Sequence, residues 1–178
     1  LKQEANVTLE KIDYLKKVLR GKYGWELWAK VYRRELFDEP MYIPCHLRIG
    51  EDATVYMQLV ARSCKVKIIN EALYNYIQYP SSASHQRSVT LAEETLQAAF
   101  YIDHLLKKES FYQEIRDEID AMYLLFYSNS TRKAFLRLNH PLIYQVYQEH
   151  YSLRALKILP LFKSIYISLS LLLRKTLS

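Results

Sequence analysis

Residues 90–176 read as one helical segment after another, and that run constrains the fold class more than any other feature of the sequence. Apolar residues recur three and four positions apart over 90–107, 110–127, 131–138 and 141–150, and again in a tail over 152–176. Such spacing lays one stripe of each helix against a core. Helix starts are marked as well. Thr90 with Glu93, and Ser110 with Gln113, have the form of a capping box, in which two side chains satisfy orphan amides reciprocally. Pro141 suits a first helical turn, whereas Pro160 should kink or restart the tail. Three Gly and sixteen Tyr among 178 residues, half of them apolar, predict an ordered chain with tight aromatic packing.

The first half is less uniform. Ile12, Leu15, Val18 and Leu19 follow helical spacing over 8–19, and Gly21 and Gly24 close that segment. From Gly24 to Phe37 aromatic and cationic residues interleave, until Pro40 and Pro44 interrupt regular structure. Val66 to Ile69 and Leu73 to Ile77 read as two short strands joined near Asn70-Glu71, and a hydroxyl-rich loop follows at 79–87. The expectation is a mainly α chain with a small β component (α+β), divided near Ser88 into regions 1–88 and 89–178.

A net charge of +6 and a pI near 9.2 permit an acidic partner, yet the cations are scattered, with Lys16, Lys17, Arg20 and Lys22 the densest group. That scatter argues against a nucleic-acid groove, so no nucleic-acid partner is expected. Cys45 and Cys64 are too few for a disulfide framework and lack CxxC spacing, which suits a reducing cytosol and predicts two buried thiols. The first residues are charged and show no signal peptide, and Leu1 in place of Met suggests a cut from a longer chain. The longest apolar run, 164–173, falls short of the roughly 18 residues of a spanning helix. The tail is basic, however. From Pro141 onward Arg154, Lys157, Lys163, Arg174 and Lys175 stand against one acid, Glu149, and residues after Pro160 form a broad apolar face. Two expectations follow: packing within the chain or as a homodimer through the C-terminal helices, or peripheral contact of 161–177 with an anionic inner leaflet. The protein is accordingly expected to be cytoplasmic, at most peripheral on the inner membrane.

For chemistry the stretch 49–62 stands out, because it delivers two adjacent carboxylates, Glu51 and Asp52, to the start of an amphipathic helix. Gly50 gives the backbone freedom before them, and Asp52 reads as the N-cap. Taken alone, that is a capped helix. Taken as chemistry, a carboxylate held by such a turn can orient a ligand and remove a proton. His46, His85, His104, His140 and His150 are far apart, and no D-x-D is present, so no self-contained metal site is expected. Neither a G-x-S-x-G elbow nor a glycine-rich phosphate loop occurs.

The order of the pieces adds a resemblance. Trp28-Ala29-Lys30-Val31-Tyr32-Arg33-Arg34-Glu35-Leu36-Phe37, then Gly50-Glu51-Asp52, then Leu73-Tyr74-Asn75-Tyr76, then Ser81-Ser82-Ala83-Ser84-His85 resembles the second half of bacterial family 2 glycosyltransferases, inverting enzymes of GT-A fold. It covers about residues 25–87. The resemblance implies a nucleotide-sugar donor, a divalent cation (Mn or Mg), and a glycan or lipid-linked acceptor. It also implies that Asp52 is the general base with Glu51 as its neighbour, and that Trp28, Lys30, Arg33 and Arg87 contact substrate. His85 is a weak candidate for the metal. The family's first βα unit and its D-x-D motif, which normally precede this region, are not in this sequence. The chain therefore reads as the acceptor-side half of such an enzyme plus a helical extension, inactive by itself and with no cofactor expected on it. The competing reading is a non-catalytic helical interaction or membrane-surface module, in which Glu51 and Asp52 only serve the helix start.

Overall fold

The structure, a computed structural model, describes residues 6–77, 79, 86–133 and 140–176. Among these lie seven α-helices and one two-stranded sheet, so the chain is mainly α with a small β component, as its periodicity predicts. Two long helices of 18 residues each dominate: α3, Val89–Leu106, and α4, Arg116–Lys133. Ala92, Ala98 and Ala99 of α3 are fully buried, and such small side chains let neighbouring helices approach closely. α4 is apolar nearly all round, from Ile119 through Tyr127, and a helix of that kind must be central. It packs on α3, on α1 (Lys11–Leu19) and on the three C-terminal helices α5 (Pro141–His150), α6 (Leu153–Ile158) and α7 (Leu161–Thr176).

Directional bonds fix these helices. Asp103 of α3, 2% exposed, accepts from Tyr112 Oη at 2.6 Å, Tyr123 Oη at 3.0 Å and Lys107 Nζ at 2.9 Å. Burial by itself would raise this carboxyl, but the three donors outweigh it and hold the group below the usual carboxylate range. Tyr112 is correspondingly pushed up to about 12 by burial and by its bond to Asp103. At the end of α5, His150 Nδ1 lies 2.8 Å from Asp120 Oδ1, and its ring stacks on Tyr123 at 3.5 Å between centroids.

The first half differs from its sequence reading in several places. Thr8–Glu10, expected in the first helix, forms β1, which pairs antiparallel with β2, Lys65–Lys67, with Leu9 opposite Val66. Helical periodicity starts only at Ile12, so α1 begins at Lys11, whose amide continues the ladder to Cys64 O at 3.0 Å. Leu73 to Ile77 is not a strand and adds no second edge partner to β2; its rings Tyr74 and Tyr76 stack on Trp28 instead. Cys45 and Cys64 are exposed, not buried, since both sit in loops outside the core. Two capping expectations also change. Ser88 caps α3, accepting from the Leu91 amide at 3.1 Å, and α4 is entered through a 3-10 turn, Tyr112–Ile115, without a cap from Ser110. α4 runs through to Lys133 without the expected break near Ser128, where Ser130 Oγ donates to Ala92 O at 2.7 Å. The rest of the helix expected at 131–138 and the loop 80–85, including His85, lie outside the described residues.

α2, Glu51–Arg62, joins the two halves by packing on α1 and on α3. Its N-cap is Gly50, at φ 96°, and not Asp52, which occupies the second helical position. The reason is tertiary. A Cβ at position 50 would lie 2.4 Å from Ala98 Cβ, so only glycine allows α2 to start this close to α3. α2 also pins the long loop before it: the Arg62 guanidinium donates to the carbonyls of Leu36, Glu39 and Pro40, and the Gln58 amide is bonded both ways to the backbone of Tyr42. Arg48 closes the loop onto α3 through its guanidinium and its amide, all to Glu94.

Gly50→Ala should therefore cost about 3 kcal/mol, combining left-handed backbone strain with overpacking. For a chain of this length that corresponds to a melting temperature lower by roughly 6–12 °C. Thermal circular dichroism checks this, and Ala98→Gly in the same chain should restore part of the loss. An unchanged melting temperature would refute the close approach.

Candidate active site

The N-terminus of α2 opens onto a cavity of about 610 Å³ whose walls come from the loop after α1, from residues 86–87 and from α3, α4 and α7. Trp25 forms part of this wall. Its ring stacks on Phe126 of α4 with 4.3 Å between centroids and 3° between planes, and its indole N–H donates to Val18 O at 2.8 Å. The polar side chains lining the cavity are Tyr23, Glu26, Asp52, Gln86, Arg87, Thr95, Asn129 and Lys163. Asp52 is half-buried on the first turn of α2, where the helix dipole favours a carboxylate. Arg87 is exposed and directly precedes Ser88, the N-cap of α3.

Behind Asp52 lies a layer of ionisable groups. Lys30 Nζ donates to Glu26 O at 2.6 Å, stands 3.9 Å from Glu26 Oε2 and lies 4.7 Å over the Tyr56 ring. Burial pushes its ammonium below the usual lysine range, while Glu26 and Asp52 pull it back upward. Tyr32 donates to Leu27 O at 3.1 Å and is pushed up to about 12, first by burial and then by Tyr14 and Asp52. Beneath these, the hydroxyls of Tyr14 and Tyr56 are 2.5 Å apart, and burial raises both phenols. The Asp52 carboxylate thus faces solvent across the cavity and, on its other side, tyrosines held neutral and one cation.

The sequence-derived candidates separate into groups. Asp52 and Arg87 meet on the cavity, although 35 positions part them in the chain. Lys30 stands behind Asp52 without lining the cavity, and Glu51 does not line it either; Glu51 Oε2 is buried with no hydrogen-bond partner among the described residues. Trp28 is 36% exposed and stacks on Tyr74 and Tyr76 with centroids 5.4 and 4.5 Å away. Arg33 is exposed and off the cavity, and His85 is outside the described residues. Sequence reasoning missed Glu26, Asn129 and Lys163. Glu26 carried a signal in its i,i+4 relation to Lys30, whereas Asn129 and Lys163 arrive from distant helices and carried none.

A divalent cation fits poorly here. The cavity offers two carboxylates, Glu26 and Asp52, and among the described residues no three His, Cys, Asp or Glu side chains come together as ligands. Hard divalent ions need a larger oxygen set from protein or substrate.

Comparison with known proteins points in one direction. A stretch of 101 residues, 54% of the chain, is 29% identical to the Bacillus subtilis (strain 168) protein named Uncharacterized glycosyltransferase EpsJ. The chain is related to a glycosyltransferase, and the match spans 29% of that protein's length. No family model matches the chain, and no solved structure does.

The tyrosine layer gives a pH prediction. A phenol raised by folding adds stability that is complete below its unfolded value near 10 and is lost as pH rises toward the folded value. Tyr14, Tyr32 and Tyr56 should therefore make the protein weaken above pH 10, by up to about 1.4 kcal/mol per pH unit for each. Tyrosinate absorbance should rise for the exposed tyrosines first and then in a cooperative step together with unfolding. Tyr56→Phe should flatten the loss of stability above pH 10. A single smooth titration near 10 for every tyrosine would contradict the buried layer.

Proposed function

We propose that this chain forms the acceptor side of an inverting glycosyltransferase of GT-A type, in which Asp52 is the general base. The reading rests on the cavity that joins the Asp52 carboxylate to the Arg87 and Lys163 side chains, and is supported by the relationship to a protein named as a glycosyltransferase. In this reading an acceptor hydroxyl enters beside Asp52. Its oxygen attacks the anomeric carbon of a nucleotide-activated sugar from the face opposite the leaving group. The new glycosidic C–O bond forms as the old one breaks, the nucleoside diphosphate leaves with the bonding electrons, and the hydroxyl proton passes to Asp52.

The surroundings suit those roles. The carboxylate is fixed on a helix whose start is set by Gly50 and Ala98, so its position is held before the acceptor arrives. Arg87 supplies a planar fork of donors, and with Lys163 it gives the cavity positive charge for a diphosphate. Trp28, Tyr74 and Tyr76 present half-exposed aromatic rings on which the apolar face of a glycan can lie. Glu51, off the cavity, acts only through its charge beside Asp52. No step is assigned to a divalent cation.

Asp52→Asn tests the assignment directly. Because Gly50 caps α2, the amide should leave the fold intact while removing basicity, and transfer should drop by roughly 10²–10⁴. The assay follows nucleoside diphosphate release from uridine- and guanosine-diphosphate sugars by the protein at its natural length, with glycan or lipid-linked acceptors. Donor affinity should hold. Transfer near the unaltered rate from a folded Asn variant would sink the assignment.

A further inference from the structure

α7 faces the wrong way for a core helix. Leu161, Phe162, Ile165, Leu169 and Leu172 are 50–76% exposed, and at 3.6 residues per turn they share one arc of about 100°, while Tyr166 at its edge is tied back to α4 by its hydroxyl, 3.2 Å from Thr131 Oγ1. The opposite side carries buried Ile167 and a set of serines, and it is the serines that hold the helix down. Ser164 Oγ donates to Leu156 O at 2.6 Å, Ser170 Oγ lies 3.0 Å from Tyr127 Oη, and Tyr151 Oη donates to Ser168 Oγ at 3.5 Å. The helix is thus attached to α4 and α6 largely through hydroxyls, while its large apolar side chains point to solvent. An apolar arc of this width next to solvent marks an interaction surface.

We propose that this arc is an interfacial membrane face that takes an anionic lipid surface. Charge selects the occupant. Residues 152–178 contain no acid and, besides the cavity-lining Lys163, the cations Arg154, Lys157, Arg174 and Lys175, and Arg154 and Lys157 are exposed on α6, which packs on α7. A second copy seated on the arc through a two-fold axis would bring two wholly basic segments together, which costs energy; anionic headgroups would neutralise them. Length agrees with a helix lying on the surface. At 16 residues α7 is about 24 Å long, and among the described residues no helix is long and apolar enough to cross a membrane. The helix also contributes Lys163 to the cavity wall, so docking would set the cavity roughly one helix diameter, about 10 Å, from the lipid. The proposal stands apart from the role of Asp52, and either can fail without the other.

Co-sedimentation of the 178-residue chain with vesicles tests it. The chain should bind phosphatidylcholine vesicles containing roughly a third phosphatidylglycerol, bind neutral phosphatidylcholine vesicles far less, and come off as salt rises from about 0.1 M to 1 M. Ile165→Asp with Leu169→Asp, both at exposed sites, should leave the circular dichroism spectrum unchanged and weaken binding at least about tenfold. Arg154→Glu with Lys157→Glu should abolish the preference for anionic lipid while keeping the fold. The proposal is overturned if the intact chain ignores anionic vesicles, if the Asp variant binds as well as the unaltered chain, or if that variant turns a dimer into a monomer while vesicles are ignored. In the last case the arc is an interface between copies.

Discussion

The contact between Gly50 and Ala98 is the constraint on which the site depends. Helices that approach with only one methyl group between their backbones hold their separation within the tolerance of hard atoms, and here one of the two is also starting its first turn. Asp52 is two residues from that point. Its distance from the rest of the cavity is therefore governed by how α2 meets α3, and not by a loop that could wander. Arg62 and Gln58 extend the same control along α2 by tying the residues between Leu36 and Tyr42 to its side.

A single core runs through both halves, from Leu15 and Met57 to Ile143 and Ile167. The cavity is assembled the same way, with Glu26 and Asp52 from before Ser88 and Thr95, Asn129 and Lys163 from after it. Neither half encloses the space alone. The placement of the side chains that line the cavity and the packing of the helices are in this sense one property, since a shift of α4 or α7 would move the wall that faces Asp52.

What the sequence made legible was local. α3, α5 and the restart at Pro160 are written in periodicity, a hydroxyl before a helix and proline, and each was read to within a residue or two. The choice between Gly50 and Asp52 as cap was not legible, because it is decided by Ala98, 48 positions away. The pairing of Leu9 with Val66 was hidden for the same reason. Periodicity showed that α7 has an apolar stripe but not which way it turns; that depends on whether Tyr127 and Tyr151 offer its serines partners. Of the cavity, Asp52 could be named from its motif and Arg87 from its loop position and its side-chain chemistry, while Asn129 and Lys163 belong to it only through the fold.

The abundance of tyrosine has a consequence for how uniquely this bundle is assembled. A core of leucines alone can be filled nearly as well after one helix rotates by a fraction of a turn, and such cores lose uniqueness before they lose stability. Tyr112 and Tyr123 on one carboxylate, Tyr14 against Tyr56, and Tyr127 against Ser170 oppose that freedom, because rotating any of these helices would pull the hydroxyls away from the partners they meet here. The phenols work as keys cut into otherwise smooth cylinders. They index each helix about its own axis, so a chain poor in glycine and rich in apolar surface still has one way to close.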